Sequence, residues 1–279
     1  MHNLLGSGGY SQVFSCNTPD NKQAAIKYVS LVDGCDVESY LKEIQFLKRL
    51  RSKKQNRHRI IELIDYEHKE SENMLYIIME KGDADLQTVF RNRMKMGPFE
   101  TFYLKFYWRE MLEAVNILHK EGIVHYDLKP ANFILVAGQL KLIDFGIAKS
   151  IQQDKTSLIV HDAVGTLNYM SPESLPDQLT GMELPKKIGV KSDVWSLGCI
   201  LYSLVYGKTP FQHISHQWTK MRAIRNENVK IPYPNLADHD PDLIHTLQMC
   251  LERDVKKRYS IEQLLAHPFC AAKKESKPL

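Results

Sequence analysis

Four side chains in one stretch of this chain carry groups that could act on a phosphate. The run His125-Tyr126-Asp127-Leu128-Lys129-Pro130-Ala131-Asn132 sets a carboxylate two residues before a lysine and five before a carboxamide, and Asp144-Phe145-Gly146 follows. Asp127 can accept the proton of a hydroxyl, and Lys129 can neutralise a phosphoryl group in transfer. Asn132 and Asp144 supply the hard oxygen ligands that Mg²⁺ takes. As isolated loop polars each would mean little. Their order and spacing, with a lysine and a glycine-rich turn upstream, point together to metal-assisted phosphoryl transfer.

The upstream partners begin near the N-terminus. Gly6-Ser7-Gly8-Gly9-Tyr10-Ser11-Gln12-Val13 is a glycine-rich turn whose backbone N–H groups can approach phosphate oxygens with no Cβ in the way. A dinucleotide-binding reading would require a helix directly after it, whereas Val13-Phe14-Ser15 reads as a second strand. Ala25-Ile26-Lys27 then places a lysine at the end of a strand, positioned to hold nucleotide phosphates, and a carboxylate on the following helix would orient it. Glu43 shares a helix side with Leu47 and Leu50 and is preferred for that role over Glu38.

Elements that could position these groups are visible in the hydrophobic pattern. Short apolar runs at 13–14, 24–26 and 75–79 read as strands, and Val37, Tyr40, Leu41, Ile44, Leu47 and Leu50 recur at helical steps. Arg51 to Arg57 is a charged loop. After Gly82 the pattern turns helical: Tyr103, Tyr107, Met111, Ala114, Val115 and Leu118 form a stripe that Gly122 ends. A strand pair at 133–136 and 140–143 flanks the Gly138 turn, and further helices are expected over 194–204 and near 216–226 and 241–252. The expected class is α+β. A small β-rich N-lobe with one helix and the connector spans 1–82, a larger mainly helical C-lobe spans 83–269, and a tail spans 270–279, with the ligand cleft near residue 82.

Composition narrows the remaining classes. Across 279 residues, 43% apolar and 25% charged content excludes a disordered chain. Lys+Arg 37 against Asp+Glu 33 leaves +4, too mild to make nucleic acid or an anionic membrane the main partner. Five scattered cysteines with no Cys-x-x-Cys pair argue against a disulfide framework or a zinc site and fit a reducing compartment. The greasiest run, Cys199 to Tyr206, is far shorter than the roughly 20 apolar residues of a membrane helix. The first residues do not form a secretory signal, and the chain reads either as a whole protein or as one domain of a longer one.

Over essentially its whole length the sequence resembles the eukaryotic protein kinases. The resemblance rests on the glycine loop, Lys27, the H-x-D-x-K-x-x-N run, Asp144-Phe145-Gly146, Ser171-Pro172-Glu173 and Asp193-Val194-Trp195-Ser196-Leu197-Gly198. It implies the bilobal kinase fold, ATP and Mg²⁺ as cofactors, and protein substrates with Ser/Thr acceptors. It further implies that Gly6, Ser7, Gly8 and Gly9 cover the phosphates, and that the backbones of Glu80 and Gly82 in Met79-Glu80-Lys81-Gly82 bond the adenine ring. Leu5, Val13, Ala25, Met79, Ile134 and Ile143 would line that pocket. By the same resemblance Glu173 pairs with Arg258, Asp193 braces the catalytic-loop backbone, and Thr166 bonds near Asp127 and Lys129.

Several longer runs are similar to the monopolar-spindle (TTK-type) checkpoint kinases: Ile26-Lys27-Tyr28-Val29, His125 to Ala148, Val164 to Met170, and Lys191 to Phe211. That likeness implies dual specificity, a role in the spindle checkpoint with kinetochore proteins as partners, and residence in nucleus and cytoplasm at kinetochores and spindle. It also implies transient self-association for autophosphorylation, with no direct nucleic acid or membrane partner. Tyr126 stands where most kinases carry an arginine that grips a phosphorylated activation loop, so another cation, such as Lys149, must do so here. Ser11 stands in place of the third glycine. In the activation segment, 147–170, Thr156 and Ser157 are expected phosphorylation sites. The competing readings are an active kinase of another serine/threonine group and a kinase-shaped binding module without turnover.

Overall fold

The computed structural model describes residues 3–8, 11–31, 37–52, 58–145, 167–175, 188–234 and 240–271. Chain contacts divide into two units, Met1–Leu86 with Ala131–Gln153 and Gln87–Pro130 with Asp154–Leu279. In the first unit, β1 (Leu4–Ser7), β2 (Ser11–Asn17), β3 (Gln23–Ser30), β4 (Leu63–Lys69) and β5 (Met74–Glu80) form an antiparallel sheet in the order β1-β2-β3-β5-β4. Register and the two-residue alternation of strands set its faces. Val13 opposes Lys27 and Ala25 opposes Met79, so these four share one side. The other side carries an aromatic ladder, with Phe14 5.5 Å from Tyr28 and Tyr28 5.2 Å from Tyr76.

Helix α1 (Val37–Ser52) turns Ile44, Phe46, Leu47 and Leu50 inward and packs beside β4. A smaller sheet of β6 (Ala84–Asp85), β7 (Phe133–Val136) and β8 (Gln139–Leu142) completes the unit. Its grouping with the first unit differs from the single boundary expected after Gly82. The cause is backbone pairing: Leu142 donates to the Arg59 carbonyl at 2.9 Å and accepts from Ile61 at 3.1 Å, while Asp83 donates to the Leu135 carbonyl at 2.7 Å. Two hydrogen-bonded edges thus tie residues 133–142 to 59–61 and 83–85.

In the second unit, α2 (Leu86–Met94) is followed by α3 (Thr101–Lys120). The stripe Leu104, Trp108, Met111, Leu112, Val115 and Leu118 of α3 is completely sequestered, and it packs on α4 (Lys191–Tyr206) and α7 (Ile261–Ala266). Helix α4 is enclosed on every side between Ser192 and Tyr202, which is why its sequence is apolar without a polar face. Gly198 is required there, since a Cβ would stand 2.6 Å from that of Cys250 on α6 (Pro241–Cys250). Caps delimit the later helices. His216 accepts from Thr219 at the start of α5 (Gln217–Arg225), Asp240 from Asp242 at α6, and Ser260 forms a capping box with Gln263 at α7.

The strands β2, β3, β5, β7 and β8 and the helices α1, α3, α4, α5 and α6 lie where the sequence places them. The pattern left β1, β4, β6, α2 and α7 unmarked. β4 reads Leu-Ile-Asp-Tyr-Glu-His-Lys because it is an edge strand, where charge guards the open ladder. Among the described residues no helix is long and apolar enough to cross a membrane.

Candidate functional site

The glycine-rich turn joins β1 to β2 as a hairpin, with Gly6 opposite Val13 and the Gly8 N–H donating to the Ser11 carbonyl at 2.7 Å. A strand follows it rather than a helix, which removes the dinucleotide-fold alternative. A Cβ on Gly6 would meet nothing within 4 Å among the described residues, whose packing therefore does not demand glycine at that position. The open space suits a bound group approaching the backbone. Leu5 beside it is 47% exposed, and Gly9 lies outside the described residues.

Lys27 projects from β3 on the Val13–Ala25–Met79 side. Its ammonium meets the Asp144 carboxylate at 2.6 Å and lies 5.9 Å from the Tyr40 ring centre. Burial pulls the Lys27 pKa down, but the Asp144 and Glu43 charges outweigh it and hold the ammonium charged. Glu43 is not in direct ion-pair contact with Lys27 among the described residues. It acts through its charge and accepts a hydrogen bond from the Phe145 N–H. Burial raises the Glu43 carboxyl to about 7 against the pull of Lys27, and the Asp144 charge adds to the rise. Glu38, the other candidate, pairs instead with Lys42 at 2.9 Å on the solvent face.

Asn132 and Asp144 belong to the same unit and are brought together by the backbone. The Ile143 N–H donates to the Asn132 carbonyl at 2.8 Å. Asn132 is 5% exposed, and its Oδ1 is buried with no hydrogen-bond partner among the described residues. The Asp144 side chain is 51% exposed, and its φ of 52° lies in the left-handed region that a non-glycine residue enters at a cost. An orphaned amide oxygen beside a half-exposed carboxylate is a hard oxygen pair that fits a divalent cation of the Mg²⁺ type. Among the described residues no group of three or more His, Cys, Asp or Glu offers a metal cage of its own. Phe145 is fully buried with its ring 5.6 Å from Phe46 of α1, anchoring the residue after Asp144; Gly146 is outside the described residues.

The connector after β5 is held by a pair the sequence reading missed. Lys141 of β8, 7% exposed at its side chain, donates to Glu80 Oε1 at 2.5 Å, and that oxygen also accepts the Glu62 N–H at 2.7 Å. The alternating pattern of β8 offered no sign that a lysine would point inward. Gly82 packs closely on β7: a Cβ there would stand 2.8 Å from Ile134 Cδ1 and 3.3 Å from the Leu135 carbonyl oxygen. Ile134 and Ile143 are half-buried in the same unit, and Ala25 is buried.

Asp127 and Lys129 lie in the second unit. The Lys129 ammonium is 3.2 Å from Asp127 Oδ2, and Asp127 is 8% exposed. Their loop is strung from Asp193 of α4. Asp193 Oδ2 accepts the His125 N–H at 2.9 Å and contacts His119 Nε2 at 2.8 Å, while Oδ1 accepts the Tyr126 N–H at 3.0 Å. Tyr126 has φ 66°, a second strained position that those bonds hold, and its hydroxyl donates to the Ile188 carbonyl at 3.3 Å. Glu173 and Arg258 form a two-pronged pair at 2.6 and 3.0 Å. Arg258 is wholly buried and also donates to the Lys191 and Glu252 carbonyls, so the pair is no surface salt bridge. Thr156, Ser157, Thr166 and Lys149 are outside the described residues.

Residues 1–270 match a family model described as a protein kinase domain. A protein kinase domain uses ATP with a divalent metal ion in general. Among curated relatives, the dual specificity protein kinase TTK of Mus musculus is 47% identical over 270 residues, 95% of this chain and 30% of that protein. The dual specificity protein kinase Ttk of Danio rerio is 46% identical over 277 residues, 99% of this chain and 27% of its own length. The serine/threonine-protein kinase mph1 of Schizosaccharomyces pombe is 41% identical over 289 residues, 95% and 42% of the two chains. The chain therefore spans less than half the length of these relatives.

Proposed function

Because the chain belongs to the protein kinase family, we propose that it transfers the γ-phosphoryl group of Mg-ATP to serine or threonine hydroxyls of protein substrates. The observation that carries this reading is the loop of the second unit, where the buried Asp127 carboxylate stands 3.2 Å from Lys129 on a backbone held by Asp193. Asp127 orients the acceptor hydroxyl and takes its proton. Lys129 faces the negative charge that gathers on the phosphoryl oxygens in the transition state.

Lys27 is the cation for the α- and β-phosphates, with Glu43 supplying the charge beside it. Gly6, Ser7, Gly8 and Gly9 offer backbone N–H groups over the phosphates. Asn132 and Asp144 would hold Mg²⁺, which when bound neutralises charge on the transferring phosphates. The backbones of Glu80 and Gly82 bond the adenine edge, and Leu5, Val13, Ala25, Met79, Ile134 and Ile143 give it apolar contact.

The names of the mouse and zebrafish proteins extend the proposal to dual specificity, so that tyrosine is an acceptor as well. The resemblance to the monopolar-spindle kinases extends it further: spindle-checkpoint signalling in nucleus and cytoplasm, kinetochore proteins as partners, and transient self-association for autophosphorylation. The test is labelled-phosphate transfer from ATP to a generic protein acceptor by the purified chain and by Asp127→Asn. Loss of a positioned base lowers the rate by about 10²–10⁴. Equal incorporation by the two proteins would overturn the proposal.

A further inference from the structure

Large exposed apolar side chains of the second unit are concentrated where α2 ends and α3 begins. Met94, Met96, Phe102, Tyr103 and Phe106 are 39, 81, 72, 40 and 41% exposed. Positions 102 and 106 lie one helical turn apart on α3 and share a face. Ring contacts form two groups there, bridged through Arg93, which lies 5.8 Å from the Phe99 ring, and Phe99, 5.6 Å from Phe90. Phe102 is 5.6 Å from Tyr103 and Phe106 is 5.3 Å from Tyr107, and Tyr107 continues to the buried Phe90 at 5.5 Å. Arg93 of α2 closes the strip from the other end, 5.6 Å from the Tyr103 ring. Exposed rings gathered on one helix end in this way, outside any role in phosphoryl transfer, mark a binding surface.

Charge at the α2 end of the strip selects the occupant. Arg93 is answered by Glu100 at 3.4 Å and Lys105 by Asp240 at 3.1 Å. Arg91 and Lys95, exposed and four residues apart, make no ion pair among the described residues. A second copy docked through this same face would oppose these two cations with their own images, a repulsive arrangement in a two-fold interface. A partner bearing carboxylates would neutralise them, while its apolar side chains covered Phe102 and Phe106.

We propose that the α2–α3 strip docks an acidic peptide segment of a partner protein, one that sets aromatic or aliphatic anchors between carboxylates. Carboxylates meet Arg91 and Lys95 at the rim, and the anchors cover the rings of α3. The strip is a recognition surface of its own and takes no part in the chemistry at Asp127.

The experiment is fluorescence anisotropy with the full chain and a labelled twelve-residue peptide of Glu-Glu-Leu-Phe repeats. A Lys-Lys-Leu-Phe peptide and a Glu-Glu-Ser-Ser peptide serve as controls. The acidic apolar peptide is expected to bind in the micromolar range, roughly 1–100 μM, and the controls at least about tenfold more weakly. Phe102→Ser with Phe106→Ser should weaken binding about tenfold or more. Arg91→Glu with Lys95→Glu should do the same and abolish its salt dependence, while phosphate transfer to a generic acceptor stays at the wild-type rate. Equal binding of the basic peptide, or indifference to both double variants, would overturn the proposal. So would two other results: sedimentation as a dimer that Phe102→Ser dissociates, which assigns the face to a second copy, or binding to phosphatidylserine vesicles without binding to the peptide.

Discussion

Lys27 illustrates how a single side chain is governed by charges far away in sequence. Its partner at 2.6 Å is Asp144, and Glu43 modulates it from a greater distance. Asp144→Asn is expected to lower phosphate transfer by at least about 10² with the fold kept, and to lower the unfolding midpoint modestly, because the buried Lys27 ammonium loses its contact carboxylate and keeps only the Glu43 charge. Transfer assays paired with thermal melts check this, and an active variant would remove Asp144 from the site. Glu43 makes a prediction in pH. Burial lifts its carboxyl from 4.5 to about 7 in the ligand-free protein. The folded form therefore binds a proton more tightly than the unfolded chain, and this group's contribution to stability declines as pH rises from about 4.5 to about 7. Glu43→Gln should flatten that part of the curve of denaturation midpoint against pH. A slope identical to wild type would place the proton elsewhere.

At the scale of elements, the 125–132 loop and α4 are joined by polar contacts that patterning could not forecast. Helix α4 was readable from Val194, Leu197, Leu201 and Leu204, and the order of Asp127, Lys129, Asn132 and Asp144 was readable from spacing alone. The left-handed backbones of Tyr126 and Asp144 were not: aspartate tolerates φ above zero without requiring it, and a tyrosine rarely enters that region unless tertiary bonds hold it, as the Asp193 carboxylate does here. The Lys141–Glu80 pair was equally hidden, since a lysine in a short strand is ordinarily a solvent-facing residue. Glu173 and Arg258 make the energetic point. Arg258→Met leaves the Glu173 carboxylate without its two-pronged partner and should destabilise the second unit by about 3–5 kcal/mol, whereas Glu173→Gln with Arg258→Met should recover part of the loss. Urea unfolding of both variants measures this, and a loss under about 1 kcal/mol would reduce the pair to the rank of a surface contact.

For the molecule as a whole, the α+β class followed from strands early and helices late, and the kinase fold from the resemblance its motifs carry. The way the chain divides did not, since the hairpin of β7 and β8 sits far along the sequence yet pairs with residues 59–61 and 83–85. The four described cysteines are free, and burial pushes the Cys199 and Cys250 thiols well above their ordinary range. The unfolding midpoint should accordingly be the same with and without reductant, and a midpoint that falls on reduction would reveal a crosslink. The 2.6 Å contact between Lys27 and Asp144 has a further consequence for the order of events. An ammonium resting on the carboxylate is already its counter-ion, so at the metal site proposed above a divalent ion arriving by itself would have to evict a resident charge. A triphosphate gives that ammonium somewhere else to go. Cation and nucleotide should then load synergistically, each tightening the hold on the other, with the bare ion retained only weakly.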